Sequence, residues 1–178
     1  VIDSGSDINH PDLIENLWVN VDEVPGNGID DDGNGEVDDI HGFDYYDNDP
    51  NPSDQNGHGT HTAGTIGARG DNGAGVVGVN WRCSLMPLRV GNQSLSRQAI
   101  LDSLEYACVN GAKVSNNSYG GGGFSGAFNS LIQSAGTNYN HIFCAAAGNG
   151  GSNGASYPAA YDQPNILSVA ATDSDDNL

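Results

Sequence analysis

The feature that most constrains this chain is a regular alternation of strand-like apolar runs with helix-like periodic segments. Val1-Ile2 reads as the end of a short buried strand that breaks at Asp3-Ser4-Gly5. A helix is predicted over 58–68, entered from an Asn56-Gly57 turn, and 83–90 is apolar enough for a central strand. In 94–110, Ile100, Leu104, Ala107 and Cys108 keep the spacing of one helix face, and Gly111 supplies a left-handed cap. Residues 113–118 return as a strand. Ser125 then caps a helix with Phe128, Leu131, Ile132 and Ala135 inward and Gly136 as its stop. Strands over 141–147 and 166–172 complete the set.

Strands that alternate with helices pair in parallel through right-handed crossovers. The expected fold is therefore a three-layer α/β domain, with a mostly parallel central sheet and helices on both faces. With 37% hydrophobic residues the chain is too apolar for disorder, and with 26 glycines it is too glycine-rich for a helical bundle. One domain over 1–178 is expected, interrupted by an acidic insertion at about 20–54. Active groups in such sheets gather at the carboxyl ends of strands, where Asp3, Asn117-Ser118 and Gly148-Asn149 fall.

Charge excludes one class of function. The 23 acidic and 5 basic residues give a net charge of -18, and nucleic-acid binding needs clustered Lys and Arg. Twelve of the acids lie between Asp22 and Asp54, a concentration that suggests bound cations. The three cysteines, Cys83, Cys108 and Cys144, sit in apolar settings that suit buried free thiols. No run is long and apolar enough to span a membrane. The chain opens on Val1-Ile2-Asp3, and Met86 is its only methionine, so a processed or trimmed start is expected.

The most informative segment is Asn56-Gly57-His58-Gly59-Thr60-His61-Thr62-Ala63-Gly64. Glycines on both sides of His58 let other chain elements approach its imidazole. Chelation by His58 and His61 is the alternative, but the zinc-protease pattern His-Glu-x-x-His requires a Glu that is missing.

Val1-Ile2-Asp3-Ser4-Gly5 followed by His10-Pro11-Asp12-Leu13 resembles the aspartate motif of the subtilisin-like serine proteases. Asn56 to Gly64 is similar to that family's histidine motif, and Ala145-Ala146-Ala147-Gly148-Asn149 to its oxyanion-asparagine motif. The three stand in the family's order. The resemblance implies a serine endopeptidase, with roles that are those established for subtilisin itself. Asp3 would orient His58 and support it electrostatically, and His58 would take the proton of a serine hydroxyl and return it to the leaving amine. Asn149 would donate its side-chain amide to the oxyanion. Ser118, Tyr119 and Gly120 match the strand end that flanks substrate, along which a peptide would bind as an added strand. Tyr157-Pro158 resembles a site where the X-Pro bond is cis.

Two calcium sites are implied. Asp12 and the loop 70–76 resemble the family's high-affinity site, with ligands from the Asp12 carboxylate, the Asn72 amide and the carbonyls of Gly70, Ala74 and Val76. A further ligand would precede Val1. The second site is an acidic loop that offers Asp30, Asp32, Asn34, Asp38 and Asp39. Asp32, Asn34 and Gly35 match positions three, five and six of an EF-hand counted from Asp30, but position twelve is His41 rather than Glu. A calcium loop of another type is the expectation.

The family's Gly-Thr-Ser-x-Ala motif is not among these residues. The nucleophilic serine is expected beyond residue 178, so the domain is expected to be incomplete at both ends and this stretch inactive alone. The rival expectation is a catalytically inactive calcium-binding pseudoprotease. The resemblance further implies secretion or a secretory compartment, a peptide or protein substrate, a propeptide inhibitor and a monomeric state.

Overall fold

The computed structural model describes residues 1–151 and 154–177. The chain divides into two compact units, Val1–Ser103 and Leu104–Leu178.

In the first unit the strands are β1 (Ile2–Asp3), β2 (Phe43–Asp44) and β3 (Leu88–Arg89), paired in parallel in the order β1-β3-β2. Register sets Asp3 and Asp44 on either side of Arg89. The Arg89 guanidinium, 2% exposed, donates to the carboxylates of Asp44 and Asp47. Its charge is thus matched before burial. The expected strand over 83–90 contracts to Leu88–Arg89, with a single bridge from Leu85 to Leu17 upstream. Between them sits Pro87, which has no N–H to donate to a ladder.

Helix α1 (His58–Gly67) follows Gly57, whose φ of +97° suits the residue without a β-carbon. Its buried face is Gly59, Ala63 and Gly67. Ala63 packs with Leu13 and Leu85 into a small core that Val1, Ile66 and Cys83 flank. Helix α2 (Arg97–Val109) starts later than 94, where Ser96 Oγ accepts from the Ala99 N–H. Ile100, Leu104, Ala107 and Cys108 are all buried as their spacing predicted, and Gly111 at φ +82° ends the helix.

In the second unit, β4 (Val114–Asn117), β5 (Ile142–Ala146) and β6 (Ile166–Val169) form a parallel sheet in that order. Helix α3 (Gly126–Tyr139) is capped by Ser125. It runs through Gly136, the expected stop, and ends at Asn140 in the left-handed conformation. Gly136 has another purpose: a β-carbon there would lie 2.6 Å from Asn165 Cγ. Phe128 on α3 meets Phe143 on β5 edge-to-face at 5.8 Å, with Tyr161 beside it at 5.7 Å. Such pairs add specific geometry to apolar burial.

Parallel strands with intervening helices make this an α/β fold of the three-layer type. Among the described residues no helix is long and apolar enough to cross a membrane. The cysteines are free, Cys108 buried and the other two half-buried.

Candidate active site

Strand β1 ends at Asp3, and α1 begins at His58. The two meet: His58 Nδ1 lies 2.7 Å from Asp3 Oδ1. Asp3 is 3% exposed, whereas the His58 side chain is 53% exposed. One ring nitrogen therefore faces a buried carboxylate, while the imidazole stays open to solvent. In the neutral tautomer that carries its proton on Nδ1, the ring donates to the Asp3 carboxylate and leaves Nε2 as an acceptor. Oδ1 also accepts the Ser4 N–H at 2.7 Å, and Oδ2 is buried without a partner among the described residues.

Two glycines make the approach possible. A β-carbon on Gly59 would lie 2.0 Å from the Gly5 carbonyl oxygen and 3.1 Å from Asp3 Cβ. Gly5, at φ +102°, is itself pressed against the Pro52 carbonyl.

A second carboxylate, absent from the sequence-based set, adjoins the pair. Asp54 Oδ1 accepts from the N–H groups of Asn56 and Gly57 and from Ser4 Oγ, at 2.8–2.9 Å. Its Oδ2 accepts from Thr60 N–H at 2.8 Å and Thr60 Oγ1 at 2.7 Å. Burial raises the Asp54 pKa, but these hydrogen bonds outweigh it and hold the carboxyl below its ordinary range. An Asp four residues before the helix start was the available signal, but it lay at the end of an acidic run.

The remaining catalytic and substrate-binding candidates lie in the second unit. Asn149 is exposed in a turn after β5, which Gly148 enters at φ +123°. Ser118, Tyr119 and Gly120 continue from the end of β4 without regular structure. Beneath them Asn117 is fully buried, and its amide donates to the Cys144 carbonyl at 3.0 Å. Its oxygen accepts from Tyr119 Oη at 2.8 Å, which fixes that side chain. The Tyr157-Pro158 bond is cis.

Asp12 is buried beside the loop 70–76. Its carboxylate accepts from Asn72 Nδ2 at 2.9 Å and from Val76 N–H at 2.8 Å. Led by the Asn72 contact, these bonds lower its pKa. Gly75 passes so close that a β-carbon would overlap Asp12 Oδ2. Gly70 is packed under Trp81, and Ala74 N–H donates to Asn72 Oδ1. The Asp12 carboxylate and the Asn72 amide carry oxygens of types that a hard cation accepts, although Asn72 turns its Nδ2 and not its Oδ1 toward Asp12.

The acidic loop gathers one group of carboxylates and leaves others out. Oxygens of Glu23, Asp32 and Asp39 all lie within 4.8 Å of one another. The amides of Asn20 and Asn34 each donate to both Asp32 and Asp39 at 2.9–3.0 Å. Asp30 instead accepts the N–H groups of Gly33, Asn34 and Gly35, and Asp38 those of Asn27 and Gly28. Glu23 was missed from sequence because it stands seven residues before the repeating acids.

This geometry can be compared with known proteins. The family model described as the Subtilase family matches residues 1–178. The chain belongs to the subtilase family. Its subtilase relatives include "Subtilisin-like protease 1" of Plasmodium falciparum, 43% identical over 136 residues, 75% of this chain and 20% of that protein. "Thermitase" of Thermoactinomyces vulgaris is 34% identical over 179 residues, 99% of this chain and 55% of that protein. "Subtilisin DY" of Bacillus licheniformis is 42% identical over 131 residues, 70% of this chain and 46% of that protein. The matched region thus spans between about a fifth and about half of these subtilases.

Proposed function

We propose that the whole protein is a serine endopeptidase in which Asp3 and His58 are two members of a catalytic triad. The observation that supports it is the 2.7 Å contact between the buried Asp3 carboxylate and Nδ1 of the open His58 ring. With Nδ1 donating to Asp3, Nε2 carries a lone pair and is the ring's free base. A serine hydroxyl supplied from outside residues 1–178 would give its proton to Nε2 as it attacks the scissile carbonyl. The Asp3 carboxylate stabilises the resulting imidazolium without taking the proton. His58 then protonates the leaving amine, and the acyl-enzyme is hydrolysed by the reverse sequence with water.

In the same reading the Asn149 amide donates to the oxyanion, and the stretch Ser118-Tyr119-Gly120 offers its backbone to an extended peptide. Asp12 with Gly70, Asn72, Ala74 and Val76 holds one calcium ion. The acidic loop holds a second through Glu23, Asp32 and Asp39, with Asn34 beside them. The metal's contribution is stability of the loops rather than a reaction step. Secretion, propeptide control and action as a monomer belong to the same proposal.

The test is peptide hydrolysis by the full-length protein and its His58→Ala variant. Turnover should fall by the roughly 10⁶-fold found when subtilisin's own triad histidine is removed. An unchanged rate would sink the reading.

A further inference from the structure

Helix α1 has an unusual start. Its N-cap is Gly57, which has no side chain to accept from the first-turn N–H groups. Those donors would otherwise go unsatisfied. They are met from elsewhere. Gly59 N–H donates to Ser4 Oγ at 3.0 Å, and Thr60 N–H donates to Asp54 Oδ2 at 2.8 Å. Ser4 is the residue after Asp3, so the strand end that carries one partner of the pair also caps the helix that carries the other. The Ser4 hydroxyl accepts from Gly59 N–H and donates its own hydrogen bond to Asp54 Oδ1, 2.9 Å away. Thr60 Oγ1, which donates to Asp54, accepts in turn from Asp7 N–H. The backbone closes the same seam: Ser6 N–H donates to the Pro52 carbonyl, and Asp54 N–H to the Ser6 carbonyl.

Asp54 is therefore the point where three segments are tied: the exit of β1, the turn 54–57 and the first turn of α1. Five donors converge on its carboxylate. Its negative charge at a helix N-terminus is also favourable. Among the described residues neither Ser4 nor Asp54 hydrogen-bonds to the His58 ring, but Ser4 N–H donates to Asp3 Oδ1 and Ser4 Oγ to Asp54 Oδ1, which links Asp54 to the strand end that carries Asp3. We infer that Asp54 is a positioning residue for the Asp3–His58 pair, acting through Ser4 and the first turn of α1. This inference rests on the catalytic reading of that pair.

The consequence is specific. An amide in place of the carboxylate can still accept at one oxygen, but its NH₂ group opposes the Thr60 or the Ser4 donors. The helix start then loses its anchor, and His58 shifts relative to Asp3 and the reacting serine. Misplacements of about 1 Å in catalytic geometry cost about 100-fold.

The experiment uses the full-length protein as wild type, Asp54→Asn, Ser4→Ala and His58→Ala, with a fluorogenic peptide substrate. It also reads the low-field NMR signal of the proton between His58 and Asp3. The expected result is a kcat roughly 10- to 100-fold lower in Asp54→Asn, with KM within about threefold and a shifted or broadened low-field proton. Ser4→Ala should show the same pattern more weakly, with the melting temperature little changed. A wild-type kcat and an unshifted proton in both variants would overturn the inference. So would a loss in Asp54→Asn that tracks its melting temperature while Ser4→Ala keeps full activity. If His58→Ala itself keeps activity, the catalytic reading fails, a result distinct from either of these.

Discussion

A β-carbon on Gly59 would stand 2.0 Å from the Gly5 carbonyl oxygen, so helix α1 can reach the end of β1 only because residue 59 has no side chain. Backbone cannot yield as a flexible side chain would. Gly59→Ala should therefore push α1 from β1, destabilise the fold by about 1–3 kcal/mol and lower kcat more than it raises KM. Thermal melts and steady-state kinetics on the full-length protein check both. A variant with wild-type melting and kcat would mean that the contact is not tight.

Asp3→Asn leaves the shape of the pair intact but reverses its hydrogen bonding. The new amide can donate where the carboxylate accepted, which favours the wrong imidazole tautomer. A fall in kcat of about 10⁴-fold is expected, a size taken from subtilisin's own triad aspartate rather than from this structure. KM should change little. The check is kcat and KM measured side by side for the variant and the wild type.

Much of this is legible in the sequence. The helix starting at His58 was visible because Asn56-Gly57 marks a turn, and β1 because it breaks at Asp3-Ser4-Gly5. The buried face of α2 followed from the spacing of Ile100, Leu104, Ala107 and Cys108. Strand β2 did not show, because Phe43-Asp44 is two residues long inside an acidic segment. Asp54 and Glu23 were hidden for a related reason. Within a run of twelve acids no spacing separates a carboxylate that accepts five donors from one that merely faces water. Their roles arise from tertiary approach, of Ser4 to Asp54 and of the 31–38 backbone to Glu23. Gly136 misled in the opposite direction, since its missing side chain serves packing against Asn165.

Calcium should raise the melting temperature in a concentration-dependent way, since a ligand that binds only the folded state stabilises by about 2.7 kcal/mol at 100 times Kd. A chelator should reverse this. Asp12→Asn should remove one part of the effect and Asp39→Asn another, whereas Asp38→Asn should leave calcium sensitivity in place. Calorimetry across a calcium titration provides the readout. Loss of calcium sensitivity in Asp38→Asn with none in Asp39→Asn would reverse the assignment of the loop.

His141 predicts a dependence on pH. It is 1% exposed, its Nδ1 lies 2.8 Å from the Ala112 carbonyl, and its Nε2 is buried without a partner among the described residues. Burial lowers its pKa from the ordinary value. Protonation then favours the unfolded chain, whose histidine titrates near pH 6.5. The stability that the neutral ring contributes is complete above about pH 6.5 and is lost as pH falls through the lowered folded value. Melting temperatures from pH 8 to 5 should fall less steeply in His141→Asn than in the wild type. Equal slopes would contradict the account.

The most direct test of the central claim is labelling of the full-length protein by a fluorophosphonate, a reagent that reacts with serines activated by a triad. Labelling rates of wild type, Asp3→Asn and His58→Ala would be compared, and the modified residue mapped by mass spectrometry. The account predicts rapid modification of one serine in the wild type and a rate several orders of magnitude lower in both variants. No labelling of the wild type, or labelling that ignores Asp3 and His58, would contradict it and leave a calcium-binding pseudoprotease.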